Sequence, residues 1–108
     1  MRRGQLWWAN LPPPWGRRPV LLVARNRAYE ILRRVMVAPL TTTIRRIPTA
    51  VMLEPGADRV DRRCVVSLDN IMPVRTDWLD GYIADLSREK MREVDQAIRY
   101  ALDLRDQH

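Results

Sequence analysis

Proton-transfer chemistry has few carriers in this 108-residue chain. One histidine, His108, stands at the last position, and Cys64 is the single cysteine. That excludes paired-histidine ribonuclease chemistry, Ser-His-Asp triads and ordinary zinc sites. A single cysteine also excludes an internal disulfide framework and suits a reducing compartment. What the chain carries in quantity is arginine, which makes up every basic residue except Lys90. A guanidinium fork pairs bidentately with phosphate and stacks on aromatic planes. A GC-rich genome favours Arg over Lys everywhere, but it does not distribute Arg unevenly. Residues 1–46 hold ten Arg against one acid, Glu30, whereas residues 47–86 are net negative and residues 87–108 are balanced. The chemistry implied is stabilisation of negative charge on a polyanion, with nucleic acid as the first candidate. Trp7, Trp8 and Trp15 lie in the same basic half. Trp15 sits among prolines, where it either stacks on a base or anchors its loop.

These residues need a scaffold, and the length suits one domain over 1–108. Apolar residues make up 46% and charged residues 30%, a globular balance. No apolar run is long enough to span a membrane. The first residues lack a secretory signal's apolar stretch, so a cytoplasmic location is expected. Gln5–Ala9 reads as a strand, LPPPWGRRP at 11–19 as a stiff loop, and the wholly apolar Val20–Val23 as a buried strand. Residues 25–33 suggest a short helical turn or a loop. Arg34–Leu40 reads as a strand that Pro39 places at an edge or a bulge. Thr41–Arg46 reads as a polar turn. Strands are expected at Thr49–Leu53 and Cys64–Leu68, with a turn at 54–58 between them and a weaker strand at Gly81–Ala84. Ser87 caps a helix over 87–104, with Met91, Val94, Ile98, Ala101 and Leu102 along its apolar face. The fold class expected is mainly β, a small antiparallel barrel with a C-terminal amphipathic helix.

The pieces also form an ordered pattern. Arg3-Gly4-Gln5-Leu6-Trp7 precedes the proline loop, and Gly16–Val23 reads G-x-RPVLLV. Val37–Thr42 reads VAPLTT, followed by Ile47-Pro48-Thr49, by CVVSLDNI at Cys64–Ile71, and by the helix with Val94-Asp95 and Ala97-Ile98. From Arg3 to about Leu104 the sequence resembles the MazF/PemK toxins of bacterial type II toxin–antitoxin systems. The resemblance implies an SH3-like β-barrel of the CcdB/PemK type, assembled as a homodimer. It implies an endoribonuclease that needs neither metal nor cofactor and cuts single-stranded RNA at short words. The RNA's own 2′-OH would attack, leaving a 2′,3′-cyclic phosphate and a 5′-OH. The partner implied is a MazE-like antitoxin whose acidic C-terminal segment covers the RNA groove.

The resemblance also assigns residues. Arg18 and Thr41, 23 positions apart, match the family's active-site Arg and Thr. Arg18 would stabilise charge on the phosphate, with general-acid action as the alternative, since a guanidinium is a poor proton shuttle. Thr41 would hold a phosphate oxygen or orient the 2′-OH, and Thr42 and Thr43 are its near alternatives. Substrate contact is expected from Arg3, Trp15, Arg17, Arg25, Thr42, Asp69 and Asn70. Arg25 stands where many relatives carry Asn. Asp69 and Asn70 either read base edges or form an Asx turn.

The largest departure is between Leu11 and Arg18. Relatives carry a longer loop there, bearing Gly and Glu or Gln. Here it is short and holds no acid, so the general base is unassigned. The groove is expected to be open enough for a folded RNA, and equal cutting of hairpin and linear forms would contradict that. Two other activities suit the same barrel. One is a CcdB-like toxin acting on DNA gyrase, and the other is a nucleic-acid-binding module without catalysis. The dimer expectation finds support in apolar side chains beyond one core's needs, namely Trp7, Trp8, Val35 and Met36.

Overall fold

The apolar run Val20–Leu22 requires cover on both faces, because successive strand residues point to opposite sides. The computed structural model, which describes residues 1–105, supplies that cover. His108 lies outside the described residues. Leu21 joins a core cluster with Leu6, Ala38, Leu40, Leu53, Val66 and Val94. Val20 and Leu22 join a second cluster with Ala9, Val35, Val37 and Val74. One sheet therefore separates two cores.

The elements run β1 (Gln5–Asn10), β2 (Arg17–Leu22), α1 (Ala28–Ile31), β3 (Arg34–Thr41), β4 (Ala50–Leu53), β5 (Cys64–Ser67), β6 (Met72–Arg75), β7 (Leu79–Asp85) and α2 (Arg88–Ala101). Short 3₁₀ turns at Leu68–Asn70 and Thr76–Trp78 flank β6. All seven strands are antiparallel, in the order β4-β5-β3-β2-β1-β7, with β6 also paired to β3. The mainly β class and the C-terminal helix are as expected. The sheet itself is barrel-like but not closed, because among the described residues no ladder joins β4 to β7.

Proline places two corrections. Arg17–Pro19 belong to β2 rather than to the loop. Leu11 N–H bonds Gly16 C=O, so alternation turns the Pro19 nitrogen away from β1, and the ladder to β3 starts only at Val20. No ladder bond is lost. Pro39 is not at an edge either, since β3 is the central strand. β3 pairs with β6 as far as Val37 and with β5 from Leu40, so Pro39 occupies the gap between partners. Strand β6 and the Thr76–Trp78 turn were not anticipated, and β7 is longer than Gly81–Ala84.

Helix α2 starts as expected, with Ser87 Oγ accepting from Lys90 N–H at 3.1 Å. Such a cap is worth about 1 kcal/mol. Val94 and Ala97 are the buried positions, flanked by Met91 and Ile98. The helix ends at Ala101, so Leu102 turns off the apolar face and is 59% exposed. Gly4, at φ +94°, lets the chain pass close beneath α2, where a Cβ would lie 3.5 Å from Met91. Trp7 and Trp8 are both half-buried, so neither is full core, because β1 is irregular against β7 between Leu6 and Ala9. Val35 is buried and offers nothing to a partner, whereas Met36 is exposed.

Candidate active site

Pairing of Ala9 with Arg18 sets Arg18 near the start of β2, and Thr41 closes the neighbouring β3. Both line one cleft of about 480 Å³. Arg18 is held from two sides. Its Nε donates to Trp15 C=O at 2.8 Å and its Nη1 to Leu40 C=O at 3.2 Å. Its guanidinium carbon sits 5.2 Å from the Trp15 ring centre, a cation–π distance. A guanidinium has five N–H groups, so about three stay open to an anion. No carboxylate pairs with Arg18 among the described residues. The result is an unneutralised, pre-oriented cation at the cleft.

Thr41 Oγ1 accepts from Thr43 N–H at 3.2 Å, which fixes the turn and leaves the hydroxyl proton free to donate. Thr41 also borders a second cleft of about 400 Å³, which it shares with Trp15, Asp69 and Asn70. Asp69 Oδ2 accepts from Thr49 Oγ1 at 2.6 Å, and Asn70 Nδ2 donates to Ser67 Oγ at 2.7 Å. These bonds orient both side chains at the 3₁₀ turn. Thr42 lines the first cleft beside Thr41. The fold thus gathers Arg18, Thr41, Thr42, Trp15, Asp69 and Asn70 around the end of β3.

The other sequence candidates lie elsewhere. Arg17 points to the opposite face from Arg18, over Trp8, with its charge met by Asp80 at 2.8 Å. Arg3 is a structural clamp in this chain. It donates through Nε to Val23 C=O and through Nη2 to Asp95 of α2, at 3.0 and 2.7 Å. Arg3 and the exposed Arg25 sit at the other end of the β1–β2 hairpin, roughly 20 Å from Arg18 at about 3.3 Å per residue.

Sequence reasoning missed the far wall of the Arg18 cleft. The loop between β4 and β5 places Arg59, Asp61 and Arg62 there, together with Cys64. The signal was the charged run ADRVDRR between two apolar strands. Its placement depends on Thr41 pairing with Val65, which carries the residues just before Cys64 to the end of β3. Burial pushes the Cys64 thiol up to about 11, and the nearby Asp58 and Glu54 carboxylates add to the shift. It is therefore a neutral thiol near pH 7.

Comparison with known proteins bears on this geometry. Residues 2–102 match the family described as PemK-like, MazF-like toxins of type II toxin–antitoxin systems. The chain is 41% identical over 101 residues to the probable endoribonuclease MazF5 of Mycobacterium tuberculosis, covering 94% of this chain and 92% of that one. It is 32% identical over 111 residues to the endoribonuclease MazF of Staphylococcus saprophyticus, covering 96% and 92%. Among solved structures it superposes, at TM-score 0.85 and 30% identity, on a mycobacterial endoribonuclease in complex with its cognate antitoxin, covering 99% of both chains. This chain belongs to the PemK-like, MazF-like toxin family of type II toxin–antitoxin systems.

Proposed function

We propose that this protein is the toxin of such a pair and an endoribonuclease that cuts single-stranded RNA at the cleft holding Arg18 and Thr41. One observation carries the assignment of the site. Two residues 23 positions apart meet at a single cleft, and the arginine there is oriented by backbone carbonyls yet, among the described residues, left without a counter-charge.

The chemistry follows from that arrangement. The 2′-OH attacks the adjacent phosphorus in line, and charge builds on the non-bridging oxygens. The open N–H groups of Arg18 stabilise that charge, and because Arg18 is already oriented it needs no rearrangement to do so. The Thr41 hydroxyl donates to a phosphate oxygen or sets the 2′-OH. The products are a 2′,3′-cyclic phosphate and a 5′-OH. Trp15, Asp69 and Asn70, on the adjoining cleft, take the neighbouring bases by stacking and edge contacts. Thr42 serves the phosphate side. Arg25 extends the basic track at the far end of the hairpin, while Arg17 and Arg3, each paired with an acid, serve the fold.

The partner is an antitoxin of the MazE kind, whose acidic segment suits the same basic cleft. The working form is a homodimer, supported by exposed apolar Met36, Ile31 and Leu32. No helix among the described residues is long and apolar enough to cross a membrane, and the cytoplasm is the proposed location.

The test is incubation of the purified, antitoxin-free protein with a long mixed RNA in EDTA, mapping new 5′-OH ends. Ends clustered at one short word, reduced at least 10²-fold in Arg18→Ala, are expected. A toxin acting on gyrase, or a binding module without catalysis, would leave the RNA intact.

A further inference from the structure

We propose that Asp61, on the loop between β4 and β5, accepts the proton of the attacking 2′-OH. The assignment rests on the endoribonuclease reading of Arg18 and Thr41.

The argument begins with what borders the cleft. The short loop between β1 and β2 holds no acid, so no carboxylate reaches the site from that side. Of the side chains lining the Arg18 cleft, Arg59 and Arg62 are permanent cations, and Thr41 and Thr42 offer hydroxyls. The Cys64 thiol is raised to about 11 and keeps its proton near neutrality. Among the described residues, Asp61 is the one carboxylate on the cleft wall. Asp69 is the nearest competitor. It borders the adjoining cleft, which Arg18 does not line, and one of its oxygens is taken by Thr49 at 2.6 Å.

Asp61 is exposed on a loop that is tied down at its start. That start is pinned by Asp58, a buried carboxylate that accepts from Glu54 N–H at 2.8 Å, while Asp58 N–H returns a bond to Glu54 C=O at 3.0 Å. Lys90 reaches across from α2, donating to Met52 C=O at 3.0 Å and standing 4.0 Å from Asp58. Two residues before Asp61, Arg59 adopts φ +60°, a left-handed conformation unfavourable for a residue with a Cβ. Strain of this kind persists where the surroundings over-determine the backbone. Arg59 and Arg62, on either side of Asp61, offset its charge toward an RNA phosphate.

The step balances without another reagent. As O2′ bonds to phosphorus, its proton passes to the Asp61 carboxylate. The P–O5′ bond breaks, and O5′ leaves with a proton from water. Asp61 then releases its proton to solvent.

Single-turnover cutting of an RNA carrying the mapped word tests this, with wild type, Asp61→Asn, Asp69→Asn and Arg18→Ala compared across pH. Asp61→Asn is expected to cut about 10²–10⁴-fold more slowly. Its KM should be unchanged or lower, because the change removes a negative charge from a site for a polyanion. If Asp61 is the base, any rise of rate with pH that the wild type shows should be absent from this variant. Asp61→Glu should restore part of the rate, and Asp69→Asn should keep the wild-type pH dependence. Matching melting curves establish that Asp61→Asn is folded. Cutting by Asp61→Asn within threefold of wild type, or a loss explained by KM alone, overturns the role. A pH dependence lost in Asp69→Asn instead transfers it to Asp69. Failure of wild type to cut any RNA overturns the underlying endoribonuclease reading, and the Asp61 role with it.

Discussion

Arg18 shows what a single residue owes to its neighbours. Its identity is common in this chain, but among the described residues its fixation by two backbone carbonyls is particular to its place. The resemblance to the toxin family picked it out together with Thr41. Asp61 could not be picked out that way, since its relevance depends on β3 pairing with β5 across 24 residues. Burial of two side chains that serve packing gives the fold a dependence on alkaline pH. Cys64 rises from 9.0 to about 11 and Tyr29 from 10.0 to about 12, chiefly because burial disfavours their charged forms. The folded protein keeps these protons where the unfolded chain has released them. Their contribution is complete below about pH 9 and is lost as pH rises through 11 to 12. Urea midpoints should therefore fall steadily above pH 9. Cys64→Ser should show a shallower decline, whereas an identical decline would leave Cys64 out of it.

At the scale of elements, periodicity predicted well wherever one face meets water. Helix α2 was legible from its cap and stripe, apart from the exchange of Leu102 for Ala97 as a core position. The strands holding prolines were harder. Pro19 and Pro39 are tolerated only because of where each ladder starts and stops, and a sequence does not display its ladder. Strand β6 was hidden for a similar reason, since its four residues, MPVR, include Pro73 and lie between two 3₁₀ turns. The contact between α2 and the β4–β5 loop carries its own prediction. Lys90, the chain's single lysine, is largely buried and serves Met52 C=O, Asp58 and Glu93 together. Lys90→Met leaves the buried Asp58 without its cation. Urea unfolding should show a loss of about 1–3 kcal/mol. RNA cutting by the variant should fall by more than its folded fraction explains, because the loop that forms the cleft wall loses its tie.

For the whole molecule, the uneven charge and the burial of Val20–Leu22 were readable at once. The open sheet, and the burial of Val35 on the inner side, were not, because they depend on which strands meet. Charge and assembly give a joint prediction. RNA affinity should fall linearly in log–log form with salt, and the slope should drop by about one phosphate contact's worth in Arg18→Ala. Sedimentation should give about twice the 12.7 kDa chain mass, and a mass near 12.7 kDa at working concentrations would refute the dimer. The placement of β3 also bears on how the molecule opens. β3 is bonded to β2, β5 and β6, so most of its amides are released only when the whole sheet comes apart. In deuterium exchange its middle residues should set the slow limit, and α1, a single turn, the fast one. Thr41 is thus mounted at the end of the last strand to open, which lets the loops around the cleft breathe while the reacting centre keeps its position.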